Sequence, residues 1–246
     1  MKAVVLAAGY ATRLYPLTRD RPKALLPVGG KPMLEHLLER LDEVPGLDEI
    51  HVVTNSKFAA AFREWAGGYD AGAVRILDDG TSDEETKLGA IGDLDLTIRI
   101  AEIDDDLLVL AGDNLFSESL APFVEFGRAK GAPALGVYDV RDLEAIRRYN
   151  AIELDEDDRV TFFEEKPERP TSTLTGIALY FYPRSALGLV GEYLAEGNNP
   201  DQPGRLVEWL YPRTDVYAWR VPGRWYDVGS KETLAEADRA FAPPRD

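Results

Sequence analysis

The sequence contains no cysteine, which excludes disulfides, a thiolate zinc site and a thiol nucleophile. It holds two histidines, His36 and His51, too few for a multi-histidine metal centre; both read as structural residues, one on an early helix and one opening an apolar strand. No apolar run approaches the ~20 residues of a membrane-spanning helix. Residues 1–9 (MKAVVLAAG) are too short for a secretory signal and lead straight into a loop. Positive charge is also scarce: 28 Lys and Arg stand against 44 Asp and Glu, a net charge of −16. That balance argues against nucleic acid as a partner. The expectation is a soluble cytoplasmic protein with no membrane or nucleic-acid partner, with homo-oligomerisation left open.

The charge that is present is unevenly placed. Residues 1–40 carry Lys2, Arg13, Arg19, Arg21, Lys23, Lys31 and Arg40 against Asp20, Glu35 and Glu39, a net of +4, so the rest of the chain carries −20. An acidic protein that concentrates cations in one early segment is equipped to hold an anion there. With 246 residues and 45% hydrophobic content, the chain has enough apolar surface for one sizeable α/β core.

Apolar periodicity predicts strands over 2–7, 49–54, 73–77, 106–111 and 132–138, alternating with helices starting at Pro32 and over 57–66, 87–100 and 119–130. This alternation predicts a doubly wound, mostly parallel sheet. The second half changes character. Strands at 149–154 and 159–165 flank an acidic turn, Asp155-Glu156-Asp157-Asp158, and a long strand covers 174–182. A helix over 184–196, a polar loop over 197–204, a strand over 214–221 and a helix over 230–241 complete the chain. No repeat or linker divides it, so the second half reads as a lid grafted onto the sheet.

Four motifs carry chemistry. The first is the loop LAAGYATRLYPLTRDRPKALLPVGGKP over residues 6–32. Ala7, Ala8 and Gly9 allow close backbone approach to a flat ligand, and successive amides in such a turn can form an anion nest. Arg13 and Lys23 supply fixed positive charge for phosphate oxygens, and Pro22 and Pro27 stiffen the approach and exit. The loop is neither a P-loop nor a dinucleotide fingerprint. The second motif is Gly112-Asp113-Asn114 at the end of a buried strand, where Asp113 suits a Mg²⁺ ligand. The third is Trp225-Tyr226-Asp227-Val228-Gly229-Ser230, in which Ser230 caps the last helix. In the fourth, Phe163-Glu164-Glu165-Lys166-Pro167, Lys166 offers a second cation and Glu165 an acceptor for sugar hydroxyls.

Thr12-Arg13, Pro16-Leu17-Thr18, Pro22-Lys23, Leu25-Leu26-Pro27 and Lys31-Pro32 together resemble the signature of the sugar-nucleotide pyrophosphorylase family, the glucose-1-phosphate thymidylyltransferases and their uridylyl and cytidylyl relatives. The resemblance runs from Lys2 to about Ala240. It implies a Rossmann-like three-layer α/β/α nucleotide-diphospho-sugar transferase fold with a mixed, mostly parallel sheet. It implies one nucleotidyltransferase domain over 1–246, its nucleotide-binding part about 1–138 plus 221–246 and its sugar-phosphate part about 139–220. The implied reaction joins a sugar-1-phosphate, or a similar phosphorylated alcohol, to UTP, dTTP or CTP with Mg²⁺ and releases pyrophosphate. Carried over residue by residue, Leu6, Ala7, Ala8, Gly9, Thr12, Arg13, Gly89 and Asp113 fall at the nucleotide. Lys23, Asn150, Glu165, Lys166 and Gly176 fall at the acceptor. Asp113 and Asp227 fall at the metal, and Arg13 and Lys23 act in catalysis.

The sequence departs from the family pattern twice. Tyr10-Ala11 replaces a frequent second glycine, and Asn150 stands where thymidylyltransferases show glycine after tyrosine, adding an amide to the acceptor pocket. Three alternatives remain at this level. A transferase for phosphocholine or inositol phosphate would differ only in the acceptor pocket. A glycosyltransferase of similar fold would want an Asp-x-Asp motif, which Asp104-Asp105-Asp106 superficially resembles. A non-catalytic sugar-nucleotide sensor would keep the fold without the chemistry.

Overall fold

The structure, a computed structural model, describes residues 1–69 and 74–242. The chain divides into two compact units. The first comprises Met1–Leu88, Leu110–Ala121 and the segment from Gly223 onward; the second comprises Gly89–Val109 and Pro122–Pro222.

In the first unit the strand Lys2–Leu6 pairs in parallel with Glu49–Thr54, which pairs in parallel with Val74–Asp78. The strand expected over 73–77 is thus found from Val74; residue 73 lies outside the described residues. Val4, Val5, Val52 and Val53 are fully buried, as β-branched residues on a sheet covered on both faces should be. The helix Met33–Asp42 buries Met33, Leu34, Leu37, Leu38 and Leu41, a stripe at helical spacing. The helix Ser56–Gly68 is longer than the expected 57–66, because buried Asn55 caps it by accepting a hydrogen bond from the Phe58 amide at 3.2 Å. The end of the strand Leu107–Ala111 lies beside Lys2–Leu6, and the Gly112 amide donates to the Leu6 carbonyl at 2.9 Å. A short antiparallel ribbon of Asn114–Phe116 and Trp225–Asp227 follows, too short to have shown any periodicity. The last helix, Lys231–Ala240, starts in a capping box made by Ser230 and Thr233.

In the second unit the strand Ala134–Asp139 runs parallel to Tyr217–Arg220 and antiparallel to Leu174–Tyr182. The fold is therefore Rossmann-like α/β/α with a mixed sheet, its antiparallel element coming from the second half of the chain. The hairpin Asn150–Leu154 and Val160–Glu165 turns through the predicted acidic segment, where Asp158 takes a left-handed backbone (φ 61°). Two expectations need correction. The helix expected over 184–196 is a 3₁₀ turn, Arg184–Ala186, followed by the α-helix Gly188–Ala195. The polar loop expected to end at 204 gives way to the amphipathic helix Pro203–Leu210, with proline in its first turn and Leu206, Val207, Trp209 and Leu210 buried. No helix among the described residues is long and apolar enough to cross a membrane.

The helix expected over 87–100 begins only at Ala90, because Gly89 has φ 80° and acts as its N-cap. A Cβ at Gly89 would lie 2.7 Å from both the Asp201 Cα and the Pro200 carbonyl oxygen. Positive φ and a backbone collision both oppose a side chain there, so Gly89→Ala is expected to cost at least about 2 kcal/mol, read as a lowered urea midpoint.

Candidate active site

The long loop after the first strand is held by buried polar residues of the first unit. The Ala7 amide donates to the Val53 carbonyl at 2.9 Å, and the Asn55 side chain donates to the Ala8 carbonyl at 2.7 Å. Asn55 thus caps a helix and pins the loop with one side chain, a role without a signal in the sequence. Ala11 occupies the left-handed region (φ 48°, ψ 43°) where a glycine would rest without strain. Its carbonyl is held by the fully buried Thr18 hydroxyl at 2.8 Å and by the Leu14 amide at 3.0 Å. Tyr10, the other departure from the family pattern, is buried with its hydroxyl 3.4 Å from the Thr81 hydroxyl. The turn keeps a glycine-like path at Ala11 although the glycine is missing.

Leu6 and Ala7 are half-buried, Ala8 is buried and Gly9 is exposed with open space where a side chain would stand. Thr12 and Arg13 lie exposed in a 3₁₀ turn whose third residue, Leu14, anchors in a cluster with Leu26, Val28, Met33, Leu115, Val228 and Ala237. That cluster joins the loop to the ribbon and to the last helix.

Three charged groups predicted separately from sequence meet here. The Lys23 ammonium donates to the Asp113 carboxylate at 2.5 Å, across 90 residues of sequence. The Asn114 side chain donates to the other Asp113 oxygen at 2.9 Å. Asp227 faces Asn114 in the ribbon register, next to Asp113. Burial pushes the Asp113 carboxyl up, but the charge and hydrogen bond of Lys23 and the hydrogen bond of Asn114 outweigh it, and the group is held below the usual carboxylate range. Asp227 is pushed up to about 6 by burial and by the Asp113 charge, against the opposing fields of Lys23 and Arg13. Arg13 is thus electrostatically coupled to this cluster. Two hard-oxygen ligands with mutual repulsion suit a hard divalent cation such as Mg²⁺, which takes one or two carboxylates and fills its remaining positions with water and phosphate oxygens. No group of three or more metal-ligating side chains occurs among the described residues.

In the second unit Glu165 lies opposite Asn150 in the hairpin register. Asn150 is buried, and its amide is largely occupied. Its oxygen accepts from the Gly176 amide at 2.6 Å and from the Thr175 hydroxyl at 3.1 Å, and its nitrogen donates to the Gly176 carbonyl at 2.9 Å. The sequence points to Asn150 as an added pocket amide; in the structure that amide clamps the Gly176 backbone and the Thr175 hydroxyl. A Cβ at Gly176 would meet Leu135 at 2.7 Å. Lys166 is exposed, has a left-handed backbone (φ 51°), and donates its amide to the Tyr149 carbonyl at 2.8 Å. Glu165 packs against Gly204 of the Pro203–Leu210 helix so closely that a Cβ there would collide with its carboxylate. Burial pushes Glu165 up to about 7, against Lys166 and Arg205 and aided by Glu208.

Gly89 belongs to this second unit, where it abuts Pro200 and Asp201. The Asp104-Asp105-Asp106 run is engaged structurally. Arg184 holds Asp104 through Nε at 2.6 Å and Nη2 at 2.5 Å, and its amide donates to Asp106 at 3.1 Å. The glycosyltransferase reading loses its candidate metal motif. The histidines are structural as expected: His36 donates to the Val28 carbonyl at 2.7 Å, and burial pushes both His36 and His51 down. Asn114, Trp225 and Gly204 also shape the two clusters. The first two stand inside motifs already visible in the sequence, and the third in the helix that periodicity did not reveal.

Comparison with known proteins bears on the family and the fold. The nucleotidyl transferase family model matches residues 2–242. The bifunctional protein GlmU of Methanocaldococcus jannaschii is 27% identical over 241 residues; the match covers 97% of this chain but 54% of that protein, so the chain spans about half its length. The UTP–glucose-1-phosphate uridylyltransferase AglF of Haloferax volcanii is 31% identical, with 97% of this chain and 96% of the relative covered. The solved structure of a UDP-glucose pyrophosphorylase complexed with UDP-glucose superposes with a TM-score of 0.81 at 21% identity, covering 98% of this chain and 97% of that one.

Two stability predictions follow from the local geometry. Ala11→Gly removes the left-handed strain and is expected to raise stability by up to about 1 kcal/mol in urea titration. Glu165 binds its proton more tightly folded (about 7) than unfolded, where it sits near the ordinary glutamate value of 4.5. Between those two values the folded state holds more protons than the unfolded state, so stability falls as pH rises. Asp227 contributes a slope of the same sign, so the quantity to read is the difference between wild type and Glu165→Gln. The variant is expected to lose up to about 3 kcal/mol of that fall; identical slopes in urea titrations across this range would refute the assignment.

Proposed function

The chain belongs to the nucleotidyl transferase family, and from that premise we propose that it condenses a sugar-1-phosphate with a nucleoside triphosphate, UTP, dTTP or CTP, to give a nucleotide sugar and pyrophosphate. The observation that carries this reading is the convergence of Lys23, Asp113 and Asp227 beside the Ala7-Ala8-Gly9 turn, at the carboxyl end of a sheet strand. In open α/β sheets ligands bind at that end. A cytoplasmic location, where such substrates are made, accompanies the reading.

In the proposed reaction an oxygen of the acceptor phosphate attacks the α-phosphorus in line. The new P–O bond forms as the bond from the α-phosphorus to the bridging oxygen breaks, and that oxygen leaves with pyrophosphate. A phosphate monoester is largely ionised at neutral pH, so no general base is required, and the protein's task is alignment and charge neutralisation. The backbone of Leu6, Ala7, Ala8 and Gly9, with Thr12, receives the nucleotide, and Gly89 is assigned to its base or ribose. Arg13 offsets charge developing on the leaving group. Lys23 exchanges its hydrogen bond to Asp113 for the α-phosphate and the incoming phosphate. Asp113 and Asp227 would hold Mg²⁺, which neutralises phosphate oxygens when bound. Lys166 orients the acceptor phosphate and Glu165 accepts from acceptor hydroxyls. Asn150 retains one amide hydrogen for the acceptor and no acceptor lone pair, since its oxygen already takes two hydrogen bonds. The nucleotide would occupy about 1–138 plus 221–246, and the acceptor about 139–220, of one nucleotidyltransferase domain.

The test is pyrophosphate release with Mg²⁺ over a panel of nucleoside triphosphates and phosphorylated acceptors. Release that requires one triphosphate together with one acceptor is expected; none with any pair, from folded protein, would reject the reading. One pre-organised charge contributes about 3–4 kcal/mol to such a barrier. Lys23→Ala and Asp113→Ala are therefore each expected to lower turnover by roughly two orders of magnitude or more, and a loss under about tenfold would remove them from the mechanism.

A further inference from the structure

We propose that Trp225 and Asn114 form a relay that sets the orientation of the Asp113 carboxylate, with Asn114 as the positioning residue for the divalent-cation site and Trp225 as the group that fixes Asn114. The inference rests on the reading of Asp113 and Asp227 as the cation's ligands.

The Trp225 indole nitrogen lies 2.5 Å from the Asn114 side-chain oxygen, and the Asn114 nitrogen lies 2.9 Å from an Asp113 oxygen. An indole N–H only donates, so the amide oxygen must face it. That choice turns the amide nitrogen toward Asp113. The flipped amide would set N–H against N–H at one end and oxygen against carboxylate at the other. Asn114 is buried, so water cannot readily replace either bond. With Lys23 on its other oxygen, Asp113 is gripped at both ends of its carboxylate.

The ribbon explains why this arrangement belongs to the cation site. Trp225 pairs with Phe116, and Asp227 pairs with Asn114. Trp225 and Asp227 are two residues apart on one strand and share a face. The Val228 amide donates to the Asp113 carbonyl at 3.1 Å, closing the ribbon just beyond Asp227. One strand pair thus fixes Asp227 by register and Asp113 by the relay, so their spacing depends on both. The Trp225 ring is half-buried, and its N–H can be removed while its aromatic packing is largely kept.

Losing a hydrogen-bond partner of a metal ligand usually weakens metal affinity by about ten- to a hundredfold. The experiment is Mn²⁺ titration of the full chain, with bound metal read by water-proton relaxation, for wild type, Trp225→Phe, Asn114→Leu, the double variant and Asp113→Asn. Trp225→Phe and Asn114→Leu are each expected to weaken Mn²⁺ binding about tenfold, with the double variant no weaker than Asn114→Leu alone because the two act in series. Asp113→Asn is expected to abolish binding. Asn114→Leu tests the same link if Trp225→Phe does not fold. A merely structural role would lower the melting temperature and leave Mn²⁺ affinity in place. Single-variant affinities within twofold of wild type while Asp113→Asn loses binding would overturn the relay and leave the ligand reading standing. Additive losses would overturn the serial arrangement. Equal Mn²⁺ affinity for Asp113→Asn and wild type would overturn the ligand reading and the relay with it.

Discussion

The hydrogen-bonded ion pair between Lys23 and Asp113 joins the long loop to the end of a sheet strand, and the charge balance around it depends on that bond. Removing a carboxylate from water costs several kcal/mol unless a partner offsets it. Lys23 and Asn114 supply the offset for Asp113, which stays ionised. Among the described residues Asp227 has no comparable donor, and it is raised to about 6. The same backbone ribbon therefore carries two carboxylates in different electrostatic states. An arriving cation would offset both costs, replacing Lys23 at Asp113 and easing the burial and repulsion that raise Asp227, and would free the lysine for a phosphate. Structural strain and prospective chemistry meet at one bond.

The second unit solves a different problem, fixing polar groups without relying on charge. Asn150 uses three hydrogen bonds to hold the Gly176 backbone and the Thr175 hydroxyl. Glu165 is held by close packing against a helix that can approach only because residue 204 is glycine. Burying Glu165 raises its proton affinity, the expected result where hydrogen-bond donors are few and one neighbouring charge, Glu208, is negative. A carboxyl that titrates near neutrality can accept from a hydroxyl when ionised and donate when protonated, which widens the range of acceptor oxygens it can meet.

Much of this was legible because its physical signals are local. β-Branched runs marked the parallel strands, and the Met33–Leu41 spacing marked the first long helix. The coincidence of small residues, Arg13, Lys23 and two prolines marked the loop. What was hidden depends on contacts between distant residues. Asn55 pins Ala8 across 47 residues, and nothing in its surroundings distinguishes it from an ordinary helix cap. Sequence cannot reveal that Asn150, read as an added pocket amide, commits its oxygen and one of its amide hydrogens to Thr175 and Gly176. The positive φ of Gly89 delays the helix expected over 87–100 until Ala90, a backbone choice that apolar periodicity does not carry. The Pro203–Leu210 helix was missed although proline in its first turn and an apolar stripe were both present; the polar residues before it dominated the reading. Asp104-Asp105-Asp106 resembled a metal motif until its partner Arg184 was known.

The excess of acidic residues sharpens the role of the early loop. A chain with net charge −16 repels a triphosphate at long range, yet residues 1–40 carry a net of +4. At physiological ionic strength charges are screened over roughly 8 Å, so the remote acidic surface is largely invisible to a phosphate that has reached the loop. Under the proposed function the phosphate would meet Lys23 there, with Arg13 on the exposed turn. The opposing carboxylates Asp113 and Asp227 lower the local potential, and Asp113 occupies Lys23; in the proposed reaction they would keep this group of cations from becoming a permanent anion trap until a divalent cation balances them. Under the proposed function, affinity for the triphosphate would thereby be conditional on the metal, which would also neutralise the charge that the reaction moves. The same two carboxylates can thus impose order on binding and supply the metal's ligands, provided their geometry is held as firmly as the ribbon and its buried asparagine hold it.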